Sequence, residues 1–291
     1  EIGNWQYMGT NYNFCIMQEK REHDFKHITQ FSTQHQEFLD NLDRIYTGPK
    51  HCIGIGEEDK TIYIWGETNI NFEAMNEEEQ KWNIVQLNEE RDTDSFQLST
   101  MKEALLDIPL SLSFTNKISK ISLGFDHTLL LFENSNYVYS QGLGKQGELG
   151  LEDKTKAGIF TRIDFDFPDG IRSITAGVKR SFAITNSSEV YAWGQTSFGK
   201  FKSPTIIESL SSLSITKICV GFKHNWYISQ ENSDIESIFC CGDNKKGQLG
   251  LDPTQKSIKL TQRNEILKSL QTLDIKLINI YTTWNNTILL C

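Results

Sequence analysis

The sequence predicts an all-β fold, a β-propeller of antiparallel blades, and three observations support this prediction. A pattern I-x-x-G-x-x-H, followed by an apolar run, recurs along the chain. A second pattern, an apolar strand that ends in aromatic-Gly, follows most of its copies, and a third, G-x-L-G-L, closes two of the units. Because one small sheet cannot cover both of its own faces, such units are stable when they repeat around an axis.

The first pattern predicts a tight turn followed by a buried strand in each unit. Its decayed last copy runs from Ile280 to Asn286, and in the third copy an arginine takes the histidine position. A histidine at a repeated position predicts a hydrogen bond that fixes its own blade, and no catalytic residue is expected. The positions that recur between copies of this pattern are Gly48, His51, Gly124, His127, Gly177, Arg180, Gly221 and His224.

The second pattern predicts a strand that returns beside the first as a hairpin, with its aromatic ring packed against a neighbouring sheet. Its glycines follow those of the first pattern by 18, 18, 17 and 21 residues (48 to 66, 124 to 142, 177 to 194, 221 to 242). This regular spacing keeps the patterns in register. The positions that carry it are Trp65, Gly66, Gly142, Trp193, Gly194 and Gly242.

The two ends of the chain predict how the ring closes. The last unit stops at Cys291 before any strand of the second pattern, and the chain opens with such a strand, Trp5 to Gly9. We therefore expect the N- and C-terminal strands to share one blade. Five motif-bearing units predict five to seven blades in a single β-propeller domain, 1–291, with an acidic insertion at 70–115 that forms a solvated loop or contacts a basic partner.

Composition limits the partners. The chain has 291 residues and a formal net charge of −9, which argues against sequence-blind binding to nucleic acid or to an anionic membrane. No apolar run approaches the roughly 20 residues of a membrane helix. The start lacks the regions of a signal peptide, so we expect a cytoplasmic or nuclear protein with its six cysteines reduced.

Two motifs in the sequence also occur in cofactor-binding or metal-binding proteins. Gly142 to Gly147 matches G-x-G-x-x-G, but a dinucleotide site needs a helix next, and the third repeat pattern follows instead. His23 and His27 lie four residues apart and could share a metal on a helix, yet no third ligand follows at a fixed spacing. We expect no metal and no cofactor; an enzyme with a metal in the central channel stays a third possibility.

The three patterns together resemble the repeat of the regulator of chromosome condensation family, whose members are usually seven-bladed. The resemblance is weakest over residues 10–44 and 67–120. It implies a non-catalytic scaffold or adaptor, or alternatively a guanine-nucleotide exchange factor for a small GTPase. The chain is also similar to small single-propeller members of the family that act in diphthamide synthesis and in Elongator-dependent modification of tRNA wobble uridine.

Function on such folds resides in the loops on the flat faces, so the residues beside the repeat turns are the expected partner contacts. The expected partner is another protein, bound to a monomeric propeller, with no membrane and no direct nucleic-acid binding. The candidate contacts are Phe125, Asp126, Lys179, Arg180, Phe222, Lys223, Trp226 and Trp284.

Overall fold

A computed structural model describes residues 5–10, 13–18, 42–56, 59–66, 96–97, 110–114, 116–231, 234–252 and 254–291. These residues form antiparallel sheets in series, and helix is confined to two short segments. Neither of these helices has the length and apolar character that a membrane crossing requires.

The described strands form an N-terminal hairpin, four blades and a C-terminal half-blade. The hairpin is β1 (Trp5–Thr10) and β2 (Asn13–Gln18). The first blade has β3 (Leu42–Thr47), β4 (His51–Gly56), β5 (Thr61–Gly66) and β7 (Leu110–Phe114), with β6 (Phe96–Gln97) on its edge. The second has β8 (Ile118–Leu123), β9 (His127–Phe132), β10 (Val138–Leu143) and β11 (Lys156–Arg162).

The third blade has β12 (Ile171–Ala176), β13 (Arg180–Thr185), β14 (Val190–Gln195) and β15 (Lys200–Ile206), followed by helix α1 (Glu208–Ser211). The fourth has β16 (Ile215–Val220), β17 (His224–Glu231), β18 (Asp234–Asp243) and β19 (Ser257–Gln262), followed by helix α2 (Asn264–Thr272). The half-blade is β20 (Asn279–Thr282) and β21 (Thr287–Leu290).

Strand register explains why the sequence patterns keep a constant spacing. The first residue of each second strand pairs with the glycine that ends the second pattern, as in His127 with Gly142 and His51 with Gly66. At Gly142 a Cβ atom would lie 2.3 Å from the carbonyl oxygen of Asp126, and φ is +115°, so a side chain is excluded there. The hairpin in the fourth blade is longer, which accounts for its spacing of 21 residues.

The hydrophobic core is divided among the interfaces between neighbouring sheets, as stacked blades require. Ile53 and Ile62 of the first blade pack with Leu130 and Phe132 of the second. The second and third blades share a further cluster that contains Trp193, and the third and fourth share one around Phe182 and Tyr227. The side chain of Trp65 lies outside the described part of the chain. The predicted all-β propeller architecture is confirmed.

The predicted closure of the ring by both termini is wrong for the strands that the structure describes. β1 pairs with β2 alone, β20 pairs with β21 alone, and no ladder joins the two hairpins. The two strands of the N-terminal hairpin are neighbours in sequence, so their pairing closes a short loop at little entropic cost. Strand β2 also contacts the first blade. β21 offers only four residues for pairing, and Tyr281, Ile288 and Leu290 remain exposed on the half-blade.

The end of the predicted acidic insertion also needs correction. Leu110–Phe114 forms the fourth strand of the first blade, because it pairs with β5 through Ser113 opposite Thr61 and Leu110 opposite Ile64. Most of 70–109 lies outside the described residues, apart from β6.

Candidate functional site

The turns between the first and second strands of successive blades lie on one face, which we call the turn face: residues 48–50, 124–126, 177–179, 221–223 and 283–285. Each turn has the same closing bond. The first residue donates its N–H to a carbonyl three residues on, over 2.9 Å at Gly48 and 2.8 Å at Gly124. The same bond occurs at Gly177, Gly221 and Thr283. The middle two residues of every turn are thereby presented together.

At Gly124 and Gly221 the glycine of the turn makes room for the histidine ring that follows it. At Gly221 a Cβ atom would lie 2.1 Å from Cε1 of His224. The ring therefore folds beneath the turn, and the next two side chains point away from the core. Main-chain bonds also join neighbouring turns, since the N–H of Phe222 donates to the carbonyl of Trp284 over 3.1 Å.

Three aromatic rings from the second blade, the fourth blade and the half-blade meet on the turn face. The rings of Phe222 and Trp284 are stacked, with centroids 3.9 Å apart and an interplanar angle of 13°. Phe125 lies 5.6 Å from Trp284, measured between ring centroids. Trp284 is still 45% exposed, so this aromatic cluster offers a flat apolar surface to a partner.

Lysine side chains surround the aromatic cluster. Lys50 pairs with Asp126 at 2.8 Å and also lies 4.6 Å above the ring of Phe125. The ammonium of Lys223 lies 5.2 Å from the centre of the Phe222 ring. Lys179 occupies the equivalent turn position in the third blade and is exposed.

The loops that leave the third strands extend the same basic surface. Main-chain bonds fix these loops beside the turns, from Leu143 to Asp126, from Gln195 to Lys179 and from Asp243 to Lys223, at 2.7–2.8 Å. The exposed lysines in these loops are Lys145, Lys245 and Lys246.

Acidic groups are fewer on this face. Asp126 is paired with Lys50, Asp243 lies 4.0 Å from Lys245, and Glu148 is buried, where its carboxylate accepts the N–H of Gln146 over 2.7 Å. Burial raises the pKa of Glu148 above its ordinary value. Among the described residues of the turns and of loop segments 143–148 and 243–248, six lysines thus face three carboxyl groups, which gives this part of the turn face a positive surplus.

Two of the predicted contact residues are not on the surface, and the prediction that they bind a partner is wrong. Trp226 is 1% exposed and donates its Nε1–H to Oγ1 of Thr287 in the half-blade over 2.9 Å. Arg180 is 6% exposed and donates to the carbonyl oxygens of Gly221 and Phe222, at 2.8 and 2.9 Å. Both side chains join neighbouring sheets instead.

The repeat histidines also join neighbouring sheets, where the sequence predicted bonds within one blade. His51 Nε2 lies 2.7 Å from Oγ1 of Thr128, and His127 Nε2 lies 2.8 Å from Oγ of Ser181. In each case the partner follows the histidine position of the next blade. His224 reaches Thr287 in the same way, at 3.3 Å. We call these contacts the blade latches.

Burial lowers the pKa of all three latch histidines to about 4, so their rings are neutral at physiological pH. A neutral imidazole with one nitrogen committed to a hydroxyl contributes a fixed hydrogen bond. The position occupied by Arg180 fits this structural role, because its Nε–H donates to Oδ1 of Asn225 over 3.1 Å, again the residue after the next histidine.

The G-x-G-x-x-G motif at 142–147 forms no dinucleotide site. Gly142 is the second-last residue of strand β10, and the loop after Gly147 leads to β11, with no helix between them whose N-terminus could bind a phosphate. No group of three or more His, Cys, Asp or Glu side chains within the described ranges could hold a metal. His23, His27 and His35 lie outside those ranges.

Sequence reasoning missed Lys50 and the lysines of the loops after the third strands. Lys50 occupies the same turn position as Lys179 and Lys223, so alignment of the repeats could have found it. Lys145, Lys245 and Lys246 follow the third strands by a few residues, and their approach to the turns depends on the main-chain bonds just described.

Comparisons with known proteins agree with this architecture. No family model matches the chain. It is 29% identical over 166 residues to the human protein named probable E3 ubiquitin-protein ligase HERC4, covering 54% of this chain and 15% of that protein. It is 30% identical over 151 residues to the ultraviolet-B receptor UVR8 of Arabidopsis thaliana, covering 49% of this chain and 33% of the receptor.

Solved structures share the fold at low identity. Human WBSCR16 matches with a TM-score of 0.59 at 12% identity, covering 86% of this chain and 57% of that one. Prp20p of Saccharomyces cerevisiae, in a structure described with its binding to Gsp1p and histones, matches with a TM-score of 0.57 at 17% identity, covering 85% and 55%. The chain spans a third or less of the curated relatives and little more than half of these structures.

Four-stranded blades in series, latched at one repeated position, define a repeat β-propeller. The chain therefore shares the fold of WBSCR16 and Prp20p, and part of its sequence is similar to HERC4 and UVR8.

Proposed function

We propose that this protein is a non-catalytic interaction scaffold that binds a partner protein on the turn face. The observation that carries the proposal is the stacked pair of Phe222 and Trp284, which leaves an aromatic surface exposed among lysines. Exposed aromatic side chains on a rigid support are typical anchors of protein interfaces, because they contribute large apolar area at low entropic cost.

The experiment is affinity capture with tagged wild-type protein and two variants. Trp284→Ala removes the exposed ring of the aromatic cluster, whereas Tyr281→Ala removes a ring of similar exposure, 49%, on strand β20, where it lies beside Lys217 and outside the turn residues. A partner that binds the turn face is lost with Trp284→Ala and retained with Tyr281→Ala. Equal recovery with all three proteins would contradict the proposal.

The alternative is guanine-nucleotide exchange on a small GTPase. It is favoured by the likeness to Prp20p, whose structure is described with its binding to Gsp1p. An exchange factor acts by distorting the nucleotide site of its partner, so it needs no catalytic triad of its own. Release of a fluorescent GDP analogue from a panel of small GTPases tests this function, and acceleration that Trp284→Ala abolishes would support it.

The narrower role in diphthamide synthesis and tRNA wobble-uridine modification rests on the sequence resemblance alone. We keep it as a hypothesis, together with a monomeric state and a cytoplasmic or nuclear location. Mass spectrometry of the captured complex would identify components of these pathways, and imaging of a tagged chain would establish the location.

A further inference from the structure

We propose that the turn face binds an acidic peptide segment that carries one aromatic or aliphatic side chain, seated on Trp284. The inference rests on the proposed function, since it specifies the chemistry of the partner for the same surface. Three properties of the face carry it: its charge, the availability of its lysines, and the geometry of the aromatic cluster.

The charge of the face is opposite to that of the whole chain. Among the described residues of the turns and of loop segments 143–148 and 243–248, six lysines against three carboxyl groups give a surplus of three positive charges, in a protein whose formal net charge is −9. Charges on the turns and on the adjoining loops lie close enough to act together at physiological salt, where screening extends over about 8 Å. The described part of the face therefore attracts a carboxylate-rich segment.

Several of these lysines are available to a partner. Within the described residues, Lys145, Lys179, Lys223 and Lys246 have no carboxylate within 4.0 Å. Lys145, Lys179 and Lys246 are exposed, and Lys223 extends beside the ring of Phe222. Incoming carboxylates can pair with these ammonium groups without first displacing an internal partner.

The aromatic cluster decides between acidic and basic segments. An exposed tryptophan ring could accept a cation on its face, but here the lysines around it would repel one. An apolar or aromatic side chain placed on Trp284 meets no such penalty and buries the part of the ring that is still exposed. A segment with acidic residues on both sides of one apolar residue satisfies the aromatic ring and the lysines together.

A nucleic acid is the competing polyanion, since its bases could stack on Trp284. Its phosphates continue along the strand, and the formal net charge of the protein, −9, opposes a long polyanion more than a short peptide. The negative charge of a peptide is limited to its few acidic residues, whereas that of a nucleic acid continues along the whole backbone. The observations therefore favour the peptide.

The test measures fluorescence anisotropy of a labelled synthetic peptide, rich in Asp and Glu around one central Phe, with the full chain. Binding that weakens by roughly tenfold or more in Lys179→Glu/Lys223→Glu supports the proposal. Lys259→Glu/Lys268→Glu is the matched control, because it changes the net charge equally at two exposed lysines on β19 and α2. We expect the control to bind like wild type.

Two further peptides and one oligonucleotide complete the test. Replacement of the central Phe by Ala should weaken binding to wild type but not to Trp284→Ala, and a lysine-rich version should not bind. The proposal is overturned if both lysine pairs have equal effects, or if a single-stranded oligonucleotide binds more tightly than the acidic peptide. If the peptide fails while a captured partner still depends on Trp284, the scaffold function stands and only this inference falls.

Discussion

Replacing Arg180 with alanine tests whether the latch between the third and fourth blades is a main source of stability. The guanidinium is buried and donates to the carbonyl oxygens of Gly221 and Phe222 and to Oδ1 of Asn225. Burial lowers the pKa of Arg180 below its ordinary value, which shows that the site disfavours a bare charge. Loss of these bonds should therefore weaken the interface between two sheets.

The magnitude follows from counting the interactions. Hydrogen bonds to a charged group contribute about 1.5–3 kcal/mol each, so the three short bonds sum to several kcal/mol. The alanine variant recovers part of this because it no longer dehydrates a guanidinium. We expect the free energy of unfolding of Arg180→Ala to fall by about 3 kcal/mol.

The assay is urea unfolding followed by tryptophan fluorescence, since Trp193 of the third blade and Trp226 of the fourth blade are both buried and report the unfolding of these two sheets. Arg172→Ala is the matched control. Its guanidinium makes comparable bonds at the surface, to the carbonyl of Asn186 over 2.8 Å and to Ser188, so its loss should cost about 0.5 kcal/mol. If the two variants lose equal stability, the reasoning about the latch is refuted.

Three further predictions concern pH, backbone fit and thiol reactivity. The folded histidine pKa of about 4 lies below the ordinary 6.5, so stability is full above pH 6.5 and falls toward pH 4, by up to about 3 kcal/mol for each of His51, His127 and His224. Urea titrations at each pH should show that the free energy of unfolding falls less between pH 6.5 and pH 4 in His127→Asn than in wild type. An equal fall in both proteins would contradict the explanation that burial of this histidine causes the pH dependence. Gly221→Ala should lower the thermal midpoint more than Gly250→Ala. At Gly250 φ is +65° and a Cβ would come no closer than 3.8 Å to another side chain, so alanine there costs only the backbone strain of about 1 kcal/mol; equal shifts would contradict the fit described. Burial raises the thiol pKa of Cys219 to about 11 and of Cys240 to about 12, so in a Cys15→Ser background only Cys291 should react with a disulfide reagent before denaturation. Rapid native labelling of a second thiol would show that the blades open.

Sequence spacing could predict the blades because the two main patterns are partners in one hairpin. His127 opposes Gly142, so the number of residues between the patterns measures the hairpin itself. The relation between blades has no such measure in the sequence. That His127 would meet Ser181, 54 residues away, depends on how two sheets pack, which the spacing within either sheet does not determine.

The candidate site was predictable in part. Phe222, Lys223 and Trp284 could be named because their turn positions are repeated, and the structure places them together. Arg180 was misplaced because its residue type suggests a surface, although it stands at a histidine position whose repeats are buried. Trp226 was misplaced because both faces of a second strand are covered, by the blades on either side, and a single strand's pattern does not reveal this.

Every blade latch points in one direction along the chain, from a side chain to the unit that follows it. Each interface between neighbouring units is therefore held by its own latch, and loss of one latch leaves the hydrogen bonds of the other interfaces unchanged. Mechanical pulling from the two ends should accordingly release the units in steps, and the order of release would report which junction is weakest.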